Sequence, residues 1–130
     1  WDACIDKIIK TKKNRDLIVH TRSALLQGLL VSKDKDLWKR ANENSYDIIN
    51  WLESSSIKYN RSSVVDLCLA YVRTQSWVDG VVVGMETLDQ LDQNLRVFGN
   101  SIMKDNEIKD VNLSRPKVSK NTLNPSNWRT

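Results

Sequence analysis

The spacing of apolar residues changes several times along the chain, and each change marks an element. Trp1, Cys4, Ile5, Ile8 and Ile9 fall on one face of an opening helix. The polar stretch KTKKNRD at 10–16 reads as a break. LIVHT at 17–21 then reads as a short strand, β-branched and of the buried kind. RSALLQGLL at 22–30 turns the chain back into an apolar segment around Gly28. Residues 34–54 carry a helical repeat with Leu37, Ala41, Ile48, Ile49 and Leu52 inward and Asp34 or Asp36 as its N-cap. SSSIKYN at 54–60 reads as a loop.

A further helix begins within RSSVVDLCLAYVRTQ at 61–75. Ser62 or Ser63 caps it, and Asp66 is placed for a capping box if Ser63 is the cap. Val64, Leu67, Cys68, Tyr71 and Val72 make its buried face. SWVDG turns the chain into a strand at Val81–Val83, which stops at Gly84. Thr87 then caps a helix running through Leu88, Leu91, Leu95 and Phe98. Beyond Gly99 the pattern weakens. Residues 104–130 hold Pro116 and Pro125 and few large apolar residues, as in an extended tail wrapping a body or a partly disordered one. No internal repeat is visible.

Two short apolar strands separated by helices predict an α/β organisation with a parallel sheet. Two strands alone leave open edges and bare faces. The expectation is therefore a fragment, with the rest of the sheet in sequence outside these residues. The start on Trp1, directly in an amphipathic pattern, points the same way.

Composition narrows the classes. The length, 130 residues, is that of one domain, and 40% apolar with 28% charged residues is the balance of a soluble globular protein. The net charge of +4 comes from basic residues scattered among carboxylates without interleaved aromatics, which argues against a nucleic-acid partner. There is no secretory h-region and no apolar run of membrane-spanning length, so a cytoplasmic protein with no membrane partner is expected. Cys4 and Cys68 lack further ligands at metal spacing and read as reduced core or near-core thiols. No metal cluster and no nucleophilic triad is present in the sequence.

The candidate chemistry lies where the strands end. In parallel α/β folds, ligands sit beyond the carboxyl ends of the strands. HTRSALLQG at 20–28 offers the Ser23 hydroxyl, backbone donors through Leu26 and the Gln27 amide. VGMETLDQLDQN at 83–94 offers close approach at Gly84 and free N–H groups at a helix start. Gln90, Gln93 and Asn94 share one face of that helix. Two readings stay open on the residues alone: a phosphate at the helix start with amides reading a base, or an ordinary capped helix with a polar outer face.

RSALLQGLL at 22–30 and VVDLCLAYVRTQSWVDGVVVGMETLDQLDQNL at 64–95, at this separation, resemble the C-terminal part of the aldo-keto reductases. These are (β/α)8 TIM-barrel oxidoreductases that use nicotinamide cofactors. The resemblance covers residues 1 to about 100. It implies that 1–100 are the cofactor-binding side of such a barrel, with 101–130 a C-terminal extension. A barrel of this kind needs about 250 residues, so the resemblance implies a helix-rich piece with two or three short parallel strands.

The resemblance also implies site residues. Ser23, Ala24, Leu25 and Gln27 would line the pyrophosphate and nicotinamide, with Arg22 where many members stack an aromatic on the nicotinamide. Gly84, Met85, Glu86, Thr87 and Gln90 would surround the adenosine ribose and any phosphate on it, and Gln93 and Asn94 would face the adenine. Glu86 puts a negative charge there, and Gln90 stands where strongly NADP-selective members have an arginine. The implied cofactor is NADP by family default, with NAD as the alternative, and the substrate is a carbonyl on a small molecule or sugar derivative.

The family's catalytic aspartate, tyrosine, lysine and histidine come from earlier strands, and nothing here matches those motifs. No catalytic residue is therefore assigned, and the piece alone is expected to be inactive. His20, the sole histidine, reads as a packed strand residue, and Tyr46, Tyr59 and Tyr71 read as packing residues. Alternative readings are a catalytically idle, reductase-like regulatory or binding subunit and an independent helical interaction domain.

Overall fold

The computed structural model describes residues 2–129, so the expected role of Trp1 lies outside the described residues. Helix α1 spans Asp2–Asn14 and runs through most of the stretch expected to break it. Lysine is a good helix former, and Lys12 and Lys13 stand in the last turn, where a positive charge suits the helix dipole. Thr11 satisfies its hydroxyl on the Lys7 carbonyl at 2.8 Å. Cys4 is exposed rather than near a core, and the side-chain hydrogen bonds from α1 to the strand region come from Lys12.

Strand β1 is only His20–Arg22, and it pairs in parallel with β2, Gly80–Val82. The register is His20 with Gly80, Thr21 with Val81 and Arg22 with Val82. The expected strand at 17–21 is thus shifted, and Ile18 is left 72% exposed. Its partner strand is three residues long, so the ladder leaves Leu17 and Ile18 no place to pair. No further strand joins the two among the described residues.

The crossover from β1 to β2 carries a 3-10 turn at Leu29–Val31, then α2 (Lys35–Arg40), α3 (Ser45–Lys58) and α4 (Val64–Arg73). Asp34 caps α2 by accepting from Asp36 N at 2.8 Å. The single repeat expected over 34–54 is two helices, broken where Asn42 takes a φ of 59° and Asn44 caps α3. Helix α3 continues to Lys58, through residues expected to be a loop. Ser54 and Ser56 donate back to the carbonyls of Trp51 and Glu53, which removes their competition with the helix. Leu29, Trp38, Ala41, Ile48, Leu52 and Leu67 form the buried centre, joined by Met103 and Val111.

Helix α5 spans Leu88–Gly99, with Thr87 as its cap. Its expected inward stripe is only partly covered. Val97 is buried, while Leu88 is 81% and Leu95 62% exposed, because the described residues supply no layer on that side. The segment after Gly99 departs most from expectation. Helix α6 forms over Asp105–Ser114, and the chain beyond it is fastened to the end of α2. Thr122, fully buried, donates to the Ala41 carbonyl at 2.9 Å, and the Trp128 indole donates to Thr122 O at 2.9 Å. Arg129 N donates to Arg40 O while Arg40 Nε donates to Arg129 O, a reciprocal pair. Few apolar residues suffice here because the hydrogen bonds are made to an existing surface.

Candidate functional site

The amino ends of the two strands are closed by the chain itself. The Asp79 carboxylate accepts from Val19 N at 2.8 Å and from Lys12 Nζ, and Val19 O in turn accepts from the amides of Asp79 and Gly80. The bond from Lys12, then that from Val19, holds the Asp79 carboxyl below its ordinary pKa. The His20 ring lies over Gly80, where an added Cβ would stand 2.8 Å from Cδ2. An alanine there would have to displace the ring, and His20 is a strand residue, as the sequence suggests, but an exposed one rather than packed.

The carboxyl ends are different. Because Arg22 pairs with Val82, the chain leaves both strands at one edge, and residues 23–28 emerge beside residues 83–87. The first loop concentrates backbone strain. Ser23, Leu26 and Gln27 have φ values of 61°, 50° and 55°, and Gly28 has 81°. The other positive-φ residues among those described, Asn42 and Asn60, are of a type that tolerates it. Leu25 and Leu26 pack against the core and hold the loop in that shape, leaving Ser23 and Gln27 exposed and Ala24 half-buried. Arg22 is exposed at the strand end.

In the second loop, Thr87 Oγ1 accepts from Gln90 N at 3.2 Å, and Gln90 Oε1 accepts from Glu86 N at 2.7 Å. Gln90 therefore pins the loop, a role that its spacing from Thr87 could have revealed. The amides of Leu88 and Asp89 find no partner among the described residues. Gly84 has no positive φ, and an added Cβ would meet nothing within 4 Å, so neither conformation nor crowding within the described chain calls for glycine there. Met85 and Glu86 are exposed. One turn into α5, Gln93 is exposed and Asn94 half-buried.

The sequence did not reveal a second polar site. A cleft of about 340 Å³ is lined by Asn60, Arg61, Ser62, Asp66, Asn100 and Ser101. Its floor is a buried joint. Asp66 Oδ2 accepts from Ser62 N, Ser62 Oγ and Asn100 Nδ2 at 2.9, 3.1 and 3.0 Å, and Arg61 Nη1 lies 3.6 Å from Oδ1.

The remaining chemistry-bearing side chains are structural. Tyr59 donates to Asp110 and Tyr71 to Asn112, both at 2.7 Å, whereas Tyr46 is exposed and not the packing residue expected. Burial pushes the Cys68 thiol up to about 12, so it stays protonated and is no nucleophile. No group of three potential metal ligands occurs among the described residues. No helix among them is long and apolar enough to cross a membrane.

Parallel strands that empty from one edge onto a strained loop and a helix start place this chain in the α/β class, in which ligands bind beyond the carboxyl ends of the strands. The model of the aldo/keto reductase family matches residues 5–113, and the chain belongs to that family. Searches of curated proteins and of solved structures found no match.

Proposed function

We propose that this chain is the cofactor-holding part of an aldo-keto reductase that passes a hydride between NAD(P)(H) and a carbonyl on a small molecule or sugar derivative. One observation carries the reading: in a member of this family, the strand register brings loop 23–28 and the start of α5 to one edge. The donor set suits a dinucleotide. It comprises the Ser23 hydroxyl, the Gln27 amide, unpartnered N–H groups at Leu88 and Asp89, open space over Gly84, and the amides of Gln93 and Asn94. When bound, the cofactor supplies or accepts the hydride.

This chain's part is to hold and orient. Arg22, Ser23, Ala24, Leu25 and Gln27 line the pyrophosphate and nicotinamide. Gly84, Met85, Glu86 and Thr87 surround the adenosine ribose, with Gln90 keeping their loop in place, and Gln93 and Asn94 face the adenine. The proton donor comes from the remainder of a (β/α)8 barrel, whose strands would cover the open sheet edges, Ile18 and the Leu88–Leu95 stripe. The unpaired thiols suit a reducing cytoplasmic setting.

The test is calorimetric titration of NADH and NADPH into the full-length protein and a Gln93→Ala/Asn94→Ala variant. We expect affinity to fall about tenfold or more, from two lost hydrogen bonds. Unchanged affinity with the fold intact refutes the adenine assignment.

A further inference from the structure

The two nicotinamide dinucleotides differ at the adenosine ribose, where one carries a 2′-hydroxyl and the other a 2′-phosphate of nearly two negative charges at neutral pH. The start of α5 is poorly suited to the second. Glu86, Asp89 and Asp92 are all exposed, and no hydrogen bond or ion pair engages their carboxylates among the described residues. The first turn of α5 holds no basic residue, and its Arg96 stands in the last turn. The dipole at a helix start is worth about half a positive charge, which these carboxylates outweigh. Gln90 cannot supply the missing cation, and its oxygen is committed to Glu86 N. The cation that the register puts at this end of the sheet is Arg22, opposite Val82, on the strand whose loop lines the pyrophosphate in the reading above.

A ribose hydroxyl meets the opposite situation. It is a donor, and an exposed carboxylate that no protein donor engages among the described residues is an acceptor free to take it. We infer that this site takes NAD(H) in preference to NADP(H), with Glu86 as the discriminating residue, accepting from the ribose hydroxyls and repelling the 2′-phosphate. The inference rests on the cofactor reading above and sharpens it.

Calorimetric titration of the full-length protein with NADH and NADPH, as wild type and Glu86→Gln, tests it. Glu86 contributes only its backbone N–H to the loop, so the substitution leaves the pinning bond from Gln90 in place. At low ionic strength the wild type should bind NADH at least about tenfold more tightly than NADPH, and the ratio should shrink as salt screens the carboxylates. Glu86→Gln should weaken NADH and strengthen NADPH, narrowing the ratio by roughly an order of magnitude. Equal or tighter NADPH binding in the wild type, or a ratio untouched by Glu86→Gln, overturns the discrimination and leaves the cofactor reading standing. Failure of both dinucleotides to bind overturns the two together.

Discussion

Ser63 and Thr87 start their helices in the same way. Each hydroxyl accepts from the amide three residues on, that of Asp66 in α4 and that of Gln90 in α5. Each of those residues reaches back past the cap, Asp66 Oδ2 to Ser62 N and Gln90 Oε1 to Glu86 N. There the likeness stops. Asp66 is 2% exposed and tied to Ser62, Asn100 and Arg61, so the start of α4 is closed from within. The start of α5 is exposed and its carboxylates are unpaired, although the two amides after the cap lack partners at both helices. One local device thus serves as a structural joint in one place and as a candidate binding edge in the other. Burial separates the two uses, and capping geometry does not.

The comparison breaks most readily at Asp66. Asp66→Ala strands the Arg61 guanidinium in the interior, and we expect a loss of about 3–5 kcal/mol in urea denaturation. A loss under 1 kcal/mol would mean that the α4 joint is no more than a surface pair. At the strands, Gly80→Ala should cost about 1–3 kcal/mol, because the new methyl meets the His20 ring. Adding His20→Ala should recover most of that loss, and a double-mutant cycle without coupling would refute the contact.

At the open helix, Thr87→Ala should cost about 1 kcal/mol, the ordinary worth of an exposed cap. Ser63→Ala should cost more, since it also disturbs a buried network. Equal losses at the two caps would contradict the contrast drawn above.

The smallest effect is a pH dependence that touches neither helix start. Lys12 and the Val19 amide lower the pKa of Asp79, and Lys58 and the Tyr59 hydroxyl lower that of Asp110. Each contributes stability that is full above the unfolded carboxylate pKa and is lost as pH falls through the lower folded value. Carboxyl NMR titration should show Lys12→Met moving Asp79 upward while Asp110 stays in place.

Much of this was legible in local chemistry. Asp34, Ser63 and Thr87 were readable as caps because hydroxyl and carboxylate caps act over three residues, whatever the rest of the chain does. The parallel arrangement followed from short β-branched runs separated by helices. Residues 54–58 were misread as a loop because the back-bonding of Ser54 and Ser56 to α3 carbonyls depends on the helix already being in place. Of the two readings of the tail, the wrapping one describes the chain after α6, held by Thr122 and Arg129 to the end of α2, but helix α6 itself was missed because its apolar spacing is weak. The Leu88–Leu95 stripe was read as inward on periodicity alone, yet whether a stripe is covered depends on the layer that faces it.

By itself, then, the sequence determined the caps, the helical faces, the two apolar runs and the pair of motifs that resemble one reductase family. These depend on neighbours a few residues away. The tertiary structure alone decided that Arg22 stands beside Val82, so that loops about sixty positions apart in the chain share an edge. It alone decided that Asp66 is closed in and that Glu86 lies open. Burial and strand register are set by parts of the chain far apart in sequence, and no local pattern encodes where they meet.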